Sequence, residues 1–501
     1  MDSDSTRWLK LKSGSDIRGP ENQLTDAVAS RIGYAFALAL AERLGTTPDK
    51  LRIAVGRDSR GSGERIMAAL CHGITAADSD VLDGGVCPAP ALFAGVLWPG
   101  APADGAVMVT AGNSGPTVNG FQFLTSEGGL TDSDIVALLN RAAATAVPER
   151  LVYETDLTGM YAERLRQLAA QWLEDDALRP LLGLRVIVDA RSGAGGFLAK
   201  LLADLGADTE GSLNLAADAI ALRLAPDPDG PDGFTALKRE VLDSRADLGI
   251  ALSPNCDRAA FVDSAGRVVS GNRLIALVSA LLLEKKPGST IVTDSVTSSG
   301  LSAFIQEWGG VHYRFKRGYR SVIDEAIRLN DEGIDCPLAI ETSGHCAFRE
   351  NSFLDDGLYL ALRLVCEELD RKREGQSLFS LIDDLQEPVE ALEVRLPILE
   401  EDDPDEAVMD LVEVILSHTL THPDWQLAPD NREGVRITFN LDDGVNNAWF
   451  QLRKSVHDPV LALNAESDVP GGIRRMLEPL LALIGDTEGF DFAPLRSALE
   501  K

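Results

Sequence analysis

A chain of 501 residues is too long for a single hydrophobic core and predicts about three to five domains. Its formal net charge of -31 excludes nucleic acid and anionic membrane as partners, because either needs a basic footprint, and any phosphate ligand must be met by locally placed cations. The six cysteines form no C-x-x-C pair, the first twenty residues carry no signal-peptide pattern, and no run reaches the roughly 18 apolar residues of a spanning helix, so a soluble cytoplasmic protein with reduced thiols is expected.

In chain order, "LRIAVGRDS" (51–59) reads as a buried strand ending in a polar turn, followed by "RIMAALCHGITAA" (65–77) at helical spacing. "GAVMVTAGN" (105–113) is the next strand with such a turn. "LRVIVDARSGAGGFLAKLLADLGAD" (184–208) is strand, Gly-rich loop and helix, and "ADLGIALSPNCDRAAFVDSAGR" (246–267) is two strands around a polar loop. A third unit holds the helix "RLIALVSALLLEK", the strand-loop-helix "STIVTDSVTSSGLSAFIQEWG" and the strand-loop "PLAIETSGHCAF". From about residue 376, "VEALEVRLPI", "GVRITFNLDDG", "NAWFQLRKS" and "VLALNAES" alternate apolar and polar residues, as half-exposed antiparallel strands do. The expectation is three similar α/β domains with mixed sheets (1–150, 151–268 and 269–375) and a C-terminal α+β domain (376–501).

Five strand-end loops carry the chemistry. "TAGNSGPTVNG" (110–120) has the Gly-rich form that presents a nucleophile or cradles a phosphate. "SPNCDR" (253–258) offers one carboxylate, Asp257, beside Ser253 and Asn255. "KRGYRS" (316–321) brings Lys316 and Arg320, which suit phosphate or acid/base duty as well as a solvated helix start. In "IETSGH" (340–345) a carboxylate and a hydroxyl on a Gly-containing turn, Glu341 and Ser343, suit vicinal diols, while His345 reads either as a ligand contact or as a buried structural histidine. "RKSVHDP" (453–459), with Arg453, Ser455, His457 and Asp458, suits a dianionic phosphate or an ordinary turn.

Together and in this order, these loops resemble the active-site loops of the α-D-phosphohexomutase superfamily, which includes phosphoglucomutases and phosphomannomutases. The resemblance spans nearly the whole chain and implies the four-domain phosphohexomutase architecture. It makes 453–459 a phosphate loop (family form R-x-S-G-T-E-P), in which Arg453, Ser455 and His457 bind phosphate with Arg320, and 341–345 a sugar loop (G-E-x-S-G-H), in which Glu341, Ser343 and His345 contact hydroxyls. Lys316 falls near the family's K-x-G loop and Arg18, in "KSGSDIRG", at a phosphate-positioning site.

Two loops depart from the family pattern. In T-A-S-H-x-P-x-x-x-N-G the serine is phosphorylated, yet Gly112 stands at that position and Asn113 at the histidine, with Ser114 two residues on. In D-x-D-x-D-R three aspartates hold Mg²⁺, yet Ser253 and Asn255 replace two of them and only Asp257 remains, so metal binding is expected to be weak or absent. The family reaction is an intramolecular phosphoryl shift between hexose 1- and 6-phosphates, with glucose 1,6-bisphosphate as an activator if this chain is active. Three readings follow: a hexose-phosphate-binding member with impaired or absent mutase activity, an active mutase with an unusual centre, and an assembly protein that keeps only the fold. An active paralogue or a homodimer is a partner class the sequence does not derive.

Overall fold

Short apolar runs closed by Gly, Asp or Ser become buried strands, and each hands its chain to a polar loop. The computed structural model describes residues 7–98, 100–147, 153–174, 179–224, 232–399, 404–455 and 458–500. The first sheet has eight strands: β1 (Lys12–Ser13), β2 (Asp16–Pro20), β3 (Arg52–Arg57), β4 (Asp80–Val86), β5 (Gly105–Val109), β6 (Val118–Thr125), β7 (Gly128–Gly129) and β8 (Tyr153–Glu154). Their order is β1-β2-β6-β5-β3-β4-β8, with β7 beside β6. β3 runs parallel to β4 and β5, whereas β6 returns antiparallel along β5 and places Phe121 opposite Val109.

Loop 110–120 is therefore the connection of a tight antiparallel pair in mid-sheet. Every residue of β5 is buried, and Ile53, Val55, Val107, Phe121 and Phe123 join Ile32 and Phe36 of the helix Asp26–Arg43 in one core. That helix packs closely on the helix Gly63–Ala76, since a Cβ on Gly73 would lie 1.8 Å from the Ser30 carbonyl oxygen.

The second sheet, β9 (Val186–Asp189), β10 (Leu248–Leu252), β11 (Ala259–Asp263) and β12 (Val268–Val269), is mixed. β9 and β10 are parallel, and β10 and β11 form a hairpin whose tip is the loop 253–258. Next come β13 (Thr290–Thr293), β14 (Val311–Arg314) and β15 (Leu338–Ile340), with β13 parallel to both others. β16 (Cys346–Phe348) leads to the long helix Gly357–Arg373. The last sheet is wholly antiparallel: β17 (Glu390–Pro397), β18 (Gln426–Leu427), β19 (Val435–Phe439), β20 (Ala448–Lys454) and β21 (Val460–Ser467), in the order β17-β21-β20-β19-β18. Its inner face, with Val435, Ile437, Phe450, Leu452 and Leu463, packs on Met476, Leu480 and Ile484 of the helix Gly472–Ile484.

The chain divides into two compact units, Met1–Ser270 with Ser343–Ser380, and Gly271–Thr342 with Leu381–Lys501. The loops 110–120 and 253–258 and the residues Ser343 and His345 belong to the first; Lys316, Arg320, Glu341 and Arg453 belong to the second. Among the described residues no helix is long and apolar enough to cross a membrane.

One buried acid tests the packing of the first unit. Glu368, on the helix Gly357–Arg373, is 5% exposed and accepts the Leu378 N–H at 2.8 Å. Burial outweighs that bond and pushes its pKa up to about 7 from the ordinary 4.5. Between those values the folded chain holds a proton that the unfolded chain has released, so this group's contribution to stability falls as pH rises through that window and is level above it. Glu368→Gln keeps the acceptor and cannot ionise. It is expected to match the wild type near pH 4.5 and to exceed it at pH 8 by roughly 1–3 kcal/mol in urea unfolding of this unit.

Candidate functional site

In the first unit, loop 110–120 is organised around a buried cation. Arg60 is 3% exposed and Asp58 fully buried, and the guanidinium Nε meets the Asp58 carboxylate at 3.1 Å. The other guanidinium nitrogens donate to loop carbonyls: Nη2 to Gly112 at 2.6 Å and Ser114 at 2.9 Å, Nη1 to Gly115 and Val118 at 2.8 Å each. Asp58 also accepts the Thr110 hydroxyl at 2.7 Å, and that hydroxyl oxygen accepts the Gly112 N–H at 3.0 Å. The planar fork of arginine suits this many convergent acceptors in a way lysine does not.

Gly112 is buried at φ +56°, in the left-handed region, where a Cβ is disfavoured. A Cβ built there would lie 3.8 Å from Arg18 Nη2, so this position faces the Arg18 guanidinium. Arg18 pairs with the buried Asp16 at 2.8 Å through Nη2, and its Nε is buried with no hydrogen-bond partner. Asn113 likewise keeps a buried Oδ1 without a partner. Ser114 is half-buried, and its backbone is held at both ends, the N–H by Ala111 O at 3.0 Å and the carbonyl by Arg60.

Loop 253–258 is closed on itself. Asp257 is 4% exposed; its Oδ1 accepts the Ser253 hydroxyl at 2.8 Å and its Oδ2 the Asn255 amide at 2.7 Å. Burial works against its charge, but His345, Arg258 and these two donors outweigh burial and hold the carboxyl below its ordinary range. The bridge between Arg258 and His345 brings the histidine of "IETSGH" to this loop. His345 is buried, with Nδ1 2.5 Å from Asp355 Oδ2; burial disfavours the imidazolium, yet Asp355 outweighs it and raises the pKa above the ordinary value. Gly344, between Ser343 and His345, has φ +91°, and a Cβ there would press on the Ala259 carbonyl oxygen at 3.0 Å, which accounts for glycine at this turn.

Mg²⁺ takes near-ideal octahedral oxygen coordination, held through freely available carboxylate oxygens together with water. Here one carboxylate remains, both of its oxygens are taken by donors of the chain, and the acceptor left over, Asn255 Oδ1, is a neutral, buried amide oxygen. The residues present do not fit an octahedral Mg²⁺ site.

In the second unit, Glu341 is 3% exposed at the end of β15 and accepts the Gly318 N–H at 2.6 Å. The cation among the carboxylates is Arg317. Burial disfavours its charge, but Asp294, Glu341, Glu393 and Glu433 outweigh burial and raise its pKa. Lys316 beside it is exposed, and Arg320 is tied to Asp324 at 2.8 Å one helical turn on. Arg453, at the end of β20, is 5% exposed with a buried Nε that has no partner among the described residues; burial and then the like charge of Arg317 lower its pKa. Ser455 is half-buried and its N–H is bonded to Val460 O at 2.9 Å; His457 lies outside the described residues.

The structure thus joins Gly112 with Arg18, joins Ser253, Asn255 and Asp257 with His345, and joins Arg453 with Arg317. The sequence patterns single out Lys316 and Arg320 but neither Arg317 nor Arg60. The position of Arg317 directly before the Gly318 turn was the available signal; nothing local marks Arg60, whose four carbonyl partners are more than fifty residues away in sequence.

Fold and site together define a multidomain α/β protein with hydroxyl, amide and guanidinium groups collected at strand-end loops. The sequence matches the family models described as "Phosphoglucomutase/phosphomannomutase, alpha/beta/alpha domain I" over residues 10–147 and "alpha/beta/alpha domain III" over residues 270–389. It is 32% identical over 380 residues to the phosphoglucosamine mutase of Saccharopolyspora erythraea, covering 74% of this chain and 80% of that protein. It is 27% identical over 470 residues to the phosphomannomutase/phosphoglucomutase of Pseudomonas putida, covering 92% of each. The crystal structure of a phosphoglucomutase/phosphomannomutase family protein from Burkholderia thailandensis shares the fold at TM-score 0.77 and 24% identity, over 97% of this chain and 98% of that one. The chain belongs to the phosphoglucomutase/phosphomannomutase family.

Removing the cation under loop 110–120 is expected to be severe. Arg60→Met strands a buried carboxylate and four carbonyls and is expected to destabilise the first unit by about 3–5 kcal/mol. Denaturant unfolding measures that loss, and hydrogen exchange of residues 110–120 should accelerate; unchanged protection there would show that the loop does not depend on Arg60.

Proposed function

We propose that this chain binds a hexose phosphate and does not carry the phosphoserine-dependent mutase cycle. The observation that carries the reading is Gly112: the position that faces Arg18 has no side chain and sits at φ +56°. Ser114 does not stand in for it, because its N–H and carbonyl are both bonded where they are. Phosphoryl transfer depends on positioning and on neutralising charge. The absent nucleophile and the single remaining metal-loop carboxylate remove one contribution to each.

The binding groups remain. Arg453 and Arg317 supply the charge for a phosphate, and Glu341 supplies an acceptor for a sugar hydroxyl. The Aspergillus fumigatus N-acetylphosphoglucosamine mutase, whose fold this chain shares at TM-scores of 0.57 and 0.58, has been solved with glucose 1,6-bisphosphate and with GlcNAc-6P and magnesium, and we read a ligand of that hexose phosphate class here. We further propose that the ranges 1–150, 151–268, 269–375 and 376–501 are the four domains, and that the six buried free cysteines mark a reducing, cytoplasmic setting.

The test is to incubate the purified chain with glucose 1,6-bisphosphate and Mg²⁺, then record intact mass, conversion of glucose 1-phosphate, and thermal unfolding against glucose 1-phosphate concentration. The expected outcome is an unmodified mass, no conversion, and a midpoint that rises with ligand. A phosphorylated species that turns over and is lost in Ser114→Ala would establish the active-mutase reading instead. A midpoint that no hexose phosphate moves would leave the fold without the ligand.

A further inference from the structure

We infer that Ser253 and Asn255 perform with their own protons the charge-balancing task of a divalent cation, so that loop 253–258 is fully formed without metal. The Ser253 hydroxyl donates to Asp257 Oδ1 at 2.8 Å, and its oxygen accepts the Arg258 N–H at 3.1 Å. The Asn255 amide donates to Asp257 Oδ2 at 2.7 Å and to Gln122 Oε1 on β6 at 3.3 Å. That orientation is fixed, because turning the amide over would set its oxygen against the carboxylate. The loop backbone is anchored as well: the Asn255 carbonyl accepts the Ala89 N–H at 2.7 Å and the Pro254 carbonyl the Ala194 N–H at 2.8 Å. One negative charge remains where three would repel, and it already has two donors.

The neighbouring donor atoms are already hydrogen-bonded. One ligand atom each of Asp257, His345 and Asp355 lies within 4.8 Å of the others. His345 Nδ1 meets Asp355 Oδ2 at 2.5 Å, Asp355 Oδ1 accepts the Cys346 N–H at 3.2 Å, and both Asp257 oxygens accept the donors above. A cation entering here competes with these buried donors for the same carboxylates.

Only the corollary that hexose phosphate binding needs no divalent cation rests on the function proposed above. The test follows thermal unfolding of the full chain in EDTA and then in excess MgCl₂, MnCl₂ or ZnCl₂, with no sugar present. The wild-type midpoint is expected to be the same in all four, and isothermal titration with Mg²⁺ to give no saturable heat. The double variant Ser253→Asp/Asn255→Asp is expected to melt lower in EDTA and to recover with MgCl₂; refolding only when MgCl₂ is supplied would count the same way. A wild-type midpoint that rises saturably with any of these ions, and ceases to do so in Asp257→Asn, would overturn the inference. So would a double variant as stable as the wild type in EDTA and indifferent to Mg²⁺. Glucose 1-phosphate is then titrated in EDTA and in MgCl₂. Equal affinity supports the corollary, a requirement for Mg²⁺ overturns it, and absence of binding in both removes the function proposed above while the unfolding data still decide the loop.

Discussion

The buried ion pair of Asp58 and Arg60 is the constraint on which the first unit's functional loop depends. A carboxylate and a guanidinium without access to water are tolerable only when their remaining hydrogen-bonding capacity is met. Here the loop meets it: four carbonyls between Gly112 and Val118 surround the cation, and Thr110 completes the anion. The same bonds that solvate the pair fix the backbone path of the loop, so the shape of this turn does not depend on any side chain it presents. The frame therefore stands with no side chain at residue 112.

Charge is handled locally throughout. The chain is strongly acidic, and cations such as Arg60, Arg314 and Arg317 lie among carboxylates or carbonyls. At Arg453 burial and the like charge of Arg317 act against the ionised form, and its buried Nε has no partner among the described residues. A fixed positive centre in an acidic protein favours a small anion over an extended one, because the rest of the surface repels anything extended.

Much of the architecture was legible because its signals are local. Strand runs such as "GAVMV" and "LGIAL" are apolar and closed by small polar residues, and both are buried strands leading into the expected loops. The hairpin around 253–258 follows from two apolar runs flanking a polar loop, and the antiparallel C-terminal sheet from alternation, although β19 is wholly and β20 almost wholly buried rather than half-exposed, their polar residues Arg436, Gln451 and Arg453 being buried too. Site chemistry was legible where a motif lies in one turn, as in "SPNCDR", and not where partners come from afar. Arg60 reaches residues fifty and more positions on, and His345 finds Asp257 through a bridge between segments nearly ninety residues apart. The choice of Arg317 over Lys316 was illegible for another reason. Adjacent basic residues on a loop diverge in space, and only the carboxylates of Asp294, Glu393 and Glu433 decide which one turns inward.

The left-handed backbone at Gly112 has a consequence for what this position accepts. At φ +56° any added side chain meets backbone strain, and Arg60 holds that backbone in place through the Gly112 carbonyl. A serine at residue 112 is therefore accommodated best when the peptide path shifts with it.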